Sequence, residues 1–191
     1  MDGLAGANVT IRGLEEHDVD ALMQLVHDDE VAKQYYGELE LPRSRDDIRA
    51  RVLGREAAFS RFAIATSDHP LIGVCGVAWL APPYRRHHTC RVSVMIGRAH
   101  QHHGYGYEAR ILLCDRLFAQ FNVHRIIGGY LSDNTASARQ AERTGALVCG
   151  TLRQEHFYDG RFHDITAWCL TPERFYAACG NDLPARSAAP A

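Results

Sequence analysis

A chain of 191 residues, 46% apolar and 23% charged, has the composition of one globular domain and is too short for two large ones. A formal net charge of −2 excludes the basic footprint of a nucleic-acid binder. The longest mostly apolar stretch, Leu71 to Leu80, is about half the ~20 residues that a membrane-spanning helix needs, so no membrane partner is expected.

In chain order, Asn8 to Gly13 alternates enough, through Val9 and Ile11, to predict a first strand. Val19, Leu22, Met23 and Val26 recur at i, i+3, i+4 and i+7, the stripe of an amphipathic helix, with Asp18 in its first turn. Ser44-x-x-Asp47 opens a second helix in the manner of a capping box, carrying Ile48 and Val52 inward. Between the two lies a polar and aromatic connector, Asp29 to Arg43, with Tyr35, Tyr36, Glu38 and Glu40.

Three strands follow, at Arg61 to Thr66, Leu71 to Leu80 and His88 to Gly97. Their short connections require antiparallel neighbours, because a parallel crossover needs about a dozen residues. In the third, Cys90, Val92, Val94 and Ile96 share a face opposite Arg91, Ser93 and Met95. A helix over Gly106 to Phe121 presents Ala109, Leu113, Leu117 and Phe121 on one side. Then come a strand at Arg125 to Leu131, a helix from Asn134 to Thr144 stopped by Gly145, and strands at Leu147 to Phe157 and Phe162 to Leu170 around a Tyr158-Asp-Gly160 turn. The order βααβββαβαββ predicts an α/β (α+β) fold with a mixed sheet, spanning a single domain over residues 8–179 with a flexible tail at 180–191.

Six scattered cysteines, without a CxxC pair, read as free buried thiols. The first residues lack the basic start and apolar core of a secretory signal, which predicts a cytoplasmic protein. Lys33 is the one lysine among 21 basic residues, a bias of chains from GC-rich bacterial genomes.

The segment that carries chemistry is Ile96 to Ala109, a strand passing through a polar turn into a helix. Gly104 and Gly106 let backbone amides approach a ligand closely, and a helix N-terminus favours an anion such as a pyrophosphate. Gly104-x-Gly106-x-x-Ala109 also fits the dinucleotide fingerprint, but Gly97 to His103 separates its first glycine from the strand, and an antiparallel meander precedes it instead of βαβ units.

As Gln101-x-x-Gly104-x-Gly106, the same residues resemble the acyl-CoA signature of the GNAT superfamily of N-acyltransferases. Leu71-Ile-Gly73, Asn134-Thr-Ala-Ser137 and Arg143-Thr-Gly145 extend the resemblance. The run Gly150 to Glu155, Tyr158 to Gly160 and Asp164 is similar to the closing hairpin of the branch that acetylates N-termini of ribosomal proteins. The resemblance implies a GNAT-like sheet, splayed in its middle and flanked by helices, that receives the pantetheine arm of acetyl-CoA as a pseudo-strand. Backbone groups of Val94, Met95 and Ile96 would bond that arm. Amides of Gln101, His102, His103, Gly104, Tyr105, Gly106 and Tyr107 would wrap the pyrophosphate, with Asn134 reaching the arm from the other side.

Two positions depart from the family pattern. The usual glutamate base falls on Arg91 and the usual tyrosine acid on Ala141, which leaves Ser137 as the acid and the base unassigned. Tyr36, Glu40 and His88 are the candidates for the acceptor end. The implied activity is transfer of an acetyl group to a primary amine, either a protein N-terminus or a small-molecule amine, by direct attack. A non-catalytic acyl-CoA-binding module is the alternative, and a homodimer is left open. No metal is expected, because His100, His102 and His103 on one turn cannot all face one ion.

Overall fold

The computed structural model describes residues 3–32, 44–54, 59–80 and 88–184. The strands are β1 (Leu4–Ala5), β2 (Thr10–Gly13), β3 (Phe59–Ala65), β4 (Gly73–Trp79), β5 (Thr89–Ile96), β6 (Arg125–Leu131), β7 (Leu147–Tyr158) and β8 (Arg161–Leu170). The helices are α1 (Val19–Val26), α2 (Asp29–Ala32), α3 (Arg45–Leu53), α4 (Tyr105–Gln120), α5 (Thr135–Arg143) and α6 (Pro172–Cys179). Ser44 caps α3 as expected, accepting from the Asp47 amide while Asp47 accepts from the Ser44 amide.

The strands form one eight-stranded sheet in the order β1-β2-β3-β4-β5-β6-β8-β7. Antiparallel pairing runs from β1 to β5, and the β5–α4–β6 crossover supplies the one parallel pair in that order. This is the mixed, helix-flanked sheet that the sequence predicts. Ile48 and Leu22 pack with Val74 and Met95 on one face. On the other, α4 and α6 bury Ile111, Leu117 and Phe175 against Cys90, Val92 and Trp168.

The elements differ from the expected ones at the ends. The two-residue β1 precedes residue 8, the start expected for the domain. Helix α6 lies within the expected domain but is absent from the expected order; Thr171 and Pro172 begin it, and Phe175 and Cys179 are buried one turn apart. Residues 180–182, expected to be tail, form a 3-10 turn in which Asp182 accepts a 2.6 Å hydrogen bond from the Tyr107 hydroxyl. Phe121, expected inward, is exposed because α4 ends one residue earlier. The cysteines are all free, but Cys149 is exposed and Cys169 half-buried. Among the described residues no helix is long and apolar enough to cross a membrane.

Candidate functional site

Strands β5 and β6 pair only through Thr89↔Arg125, Cys90↔Ile126 and Arg91↔Ile127. Beyond Arg91 the two strands part. Thr89 accepts from Leu80 on β4, whereas the His88 carbonyl accepts from His124 on the β6 side. Because consecutive residues of a strand aim their backbone groups to opposite sides, Val92, Val94 and Ile96 turn theirs into the gap, and Met95 turns its own to Val74 on β4. The splay therefore leaves a short length of strand edge inside the molecule.

The chain leaves β5 at Gly97, makes a 3-10 turn over Arg98–His100, and enters α4. The Gln101 side chain donates to the Ile96 carbonyl at 3.0 Å and so ties the loop to the end of the strand. His102 and Gly104 adopt φ of 65° and 85°. With Gly104 as N-cap there is no side-chain cap, so the first amides of α4 keep their hydrogen-bonding capacity for a ligand. Glu108, the acid of that first turn, is engaged elsewhere: its carboxylate accepts from the Asn8 amide at 2.8 Å and the Asn8 side chain at 2.9 Å.

Helix α5 forms the facing wall. Asn134 caps it by accepting from the Ser137 amide at 3.0 Å. A cleft of about 310 Å³ lies between these elements, lined by the edge of β5, the glycine loop, the N-terminal part of α4 and the length of α5. Among the described residues three arginines line it, Arg110, Arg139 and Arg143, and no acidic residue does. Arg143 stacks 3.6 Å from the centre of the Tyr107 ring and pairs with Asp182 at 3.3 Å.

Val94, Met95, Ile96, Gln101, His102, Gly104, Tyr105, Gly106, Tyr107, Asn134 and Ser137 all line this one cleft. His103 is turned out of it, with Nδ1 2.7 Å from the Gln101 carbonyl and its ring stacked on Tyr105. His88 stands at the opposite end of β5, its Nδ1 3.3 Å from the Phe121 carbonyl. Tyr36 and Glu40 lie outside the described residues. Arg91 is exposed, and Ala141 is buried in the core. Arg110, Arg139, Gln140 and Arg143 escaped the sequence reading, although Arg110 follows Tyr107, and Gln140 and Arg143 follow Ser137, at helical i+3 spacing.

The histidines do not converge on an ion. His100 packs against His69, with ring centroids 4.7 Å apart, and burial, followed by the His69 and His103 charges, holds it below its ordinary pKa. Among the described residues no group of three His, Cys, Asp or Glu side chains is placed to hold a metal. Burial pushes the Cys90 and Cys114 thiols up to about 12, which leaves both as poor nucleophiles near neutral pH.

A profile of the acetyltransferase (GNAT) domain matches residues 8–147. The chain belongs to the GNAT acetyltransferase family. It is an acyl-CoA-dependent acetyltransferase. The spermidine N-acetyltransferase from Vibrio cholerae, solved with CoA and spermine, superposes with a TM-score of 0.79 at 20% identity, over 89% of this chain and 99% of that one. A putative acetyltransferase from T. thermophilus gives 0.77 at 21% identity, over 95% of each chain. A GNAT-family acetyltransferase from Bacillus anthracis gives 0.76 at 20% identity, over 88% of this chain and 98% of that one. Among curated proteins no sequence relative matches the chain. At these identities the solved GNAT structures confirm the fold, including its mixed sheet.

Proposed function

We propose that the protein transfers an acetyl group from acetyl-CoA to a primary amine by direct attack. The observation that carries this reading is the free edge of β5 beside a glycine-led helix N-terminus, both opening into one cleft. The backbone of Val94 and the N–H of Ile96 offer partners to the amides of a pantetheine arm. The amides from Gly104 to Tyr107 offer partners to a pyrophosphate, in the electropositive end of α4.

Ser137 lines the same cleft from α5, where its hydroxyl can give a proton to the departing thiolate. A backbone amide of β5 polarises the thioester carbonyl as the amine adds. No carboxylate among the described lining residues stands ready as a base, so the amine must arrive uncharged or lose its proton through water. The raised thiols of Cys90 and Cys114 support direct transfer over an acyl-cysteine intermediate.

For the acceptor, the Vibrio structure with spermine favours a small-molecule amine. The hairpin likeness to the ribosomal-protein branch finds no support in the solved structures named above, and a protein N-terminus is kept as the second class to test. The experiment is a screen of polyamines, amine-bearing metabolites and N-terminal peptides with acetyl-CoA, read by mass. A gain of one acetyl group on an amine, increasing with pH below the amine's pKa, is the expected result. Hydrolysis of acetyl-CoA with no acylated amine would overturn the reading.

A further inference from the structure

Arg110 is a buried cation without a counter-ion among the described residues. It stands on α4 in the cleft wall, 9% exposed, and among the described residues its Nε–H has no hydrogen-bond partner. The guanidinium carbon lies 5.5 Å from the centre of the Trp168 ring. Burial pulls its pKa down, and no carboxylate acts against that pull. None of the ion pairs among the described residues includes it. An arginine stays charged in nearly any setting, so this position carries an uncompensated charge that an apolar residue of similar size would avoid.

Arg110 lines the cleft, and no residue of the described lining carries a charge opposite to it. The diphosphate of the donor does not explain it. That group is matched by the N-terminal amides of α4, with Arg139 and Arg143 nearby, whereas Arg110 lies four residues, or ~6 Å, further along the helix than Gly106. There the neighbours are Trp168 and the apolar side of the gap. An acetyl group would bring Arg110 no charge. A carboxylate carried on the acyl chain would meet it in a desolvated setting, where charge-assisted hydrogen bonds are strong.

We propose that Arg110 is a specificity-determining residue that admits a second class of donor, acyl-CoA thioesters whose acyl chain ends in a carboxylate, such as the succinyl group. The proposal rests on the acyl-CoA cleft proposed above. In the transfer the amine nitrogen bonds to the thioester carbonyl carbon as the carbon–sulfur bond breaks. The CoA sulfur leaves with that electron pair, the proton lost by the amine ends on the sulfur, and the distal carboxylate stays unchanged against Arg110.

The test uses the full chain and calorimetric titration with CoA, succinyl-CoA and butyryl-CoA, the last two matched in chain length and different in charge. Succinyl-CoA is expected to bind about 10- to 100-fold tighter than butyryl-CoA in the wild type. Arg110→Met should bring succinyl-CoA down to the level of butyryl-CoA, and Arg110→Lys should retain part of the preference. Equal affinities in the wild type would overturn the proposal whatever the variants do. So would an Arg110→Met protein that weakens all three ligands alike, because Arg110 would then hold the arm common to every donor. If CoA binds without preference among its thioesters, only this inference falls; if CoA does not bind, the cleft reading falls with it.

Discussion

Gly104 and Gly106 serve the loop for different reasons. Gly104 sits at φ 85° with open space where a side chain would point, so its requirement is conformational. At Gly106 a Cβ would stand 3.0 Å from Gln140 Nε2 and 3.4 Å from Ile96 Cγ1, so its requirement is close approach. A valine at either position resists the backbone angle or fills the phosphate's space, and Gly104→Val and Gly106→Val should each weaken CoA roughly 10- to 100-fold in a binding titration. His102→Ala should cost much less, since the loop offers amides there and not the imidazole; a loss equal to that of Gly104→Val would assign the phosphate to the ring. Ser137 poses a catalytic question. With Ala141 buried at the position where the family resemblance implies a tyrosine acid, Ser137→Ala should lower kcat about 10- to 100-fold and leave CoA affinity alone. An unchanged kcat under rate-limiting chemistry would hand the proton to solvent.

One clamp between elements is worth a measurement of its own. Asp18, 1% exposed at the head of α1, receives two hydrogen bonds from Arg12 of β2, at 2.8 and 2.7 Å, and one from the Glu15 amide at 2.9 Å. Burial acts to raise the Asp18 pKa, but the hydrogen bonds from Arg12 and Glu15 outweigh it and hold the carboxyl below its ordinary value. A carboxyl depressed in the folded state adds stability above its unfolded pKa and loses it as pH falls through the folded value. Acid melting of the wild type should thus steepen below about pH 4. Arg12→Ala strands the carboxylate and should lower stability near pH 7 by about 3 kcal/mol, with a flatter acid limb in thermal melts. Elements with strong periodicity or caps, such as β5, α3 and α5, are legible in the sequence because local chemistry and tertiary packing agree in them. Strand β1 is not, since two residues hold no period. Helix α6 carries a start signal in Thr171-Pro172-Glu173, but its eight residues are too few for a convincing stripe. In the site, the glycine loop can be read because it works through backbone. Arg110 cannot, because an arginine on a helix reads as surface until the fold shows what covers it.

Across the whole molecule, β5 and β6 part within the sheet, and both faces of the sheet are braced around that place. Helices α1 and α3 close one face over Val74 and Met95, and α4 closes the other over Val92. The parting of β5 from β6 leaves the Val92 carbonyl, both backbone groups of Val94 and the Ile96 N–H without a strand partner, and such groups are satisfied by water or by a ligand, while the Ile96 carbonyl is held by the Gln101 side chain. A donor that pairs with this edge binds the folded chain and has nothing comparable to bind in the unfolded one. At a hundred times its Kd it adds ~2.7 kcal/mol to stability, which for a chain of this length raises Tm by roughly 5 to 10 °C. CoA should produce that shift, scaling with the logarithm of its concentration. NAD shares the diphosphate but has no pantetheine arm to lie along β5, so it should move Tm far less. The comparison separates the two uses of the glycine loop: a shift with NAD and none with CoA would mean that the loop binds a dinucleotide and that the open strand edge serves another ligand.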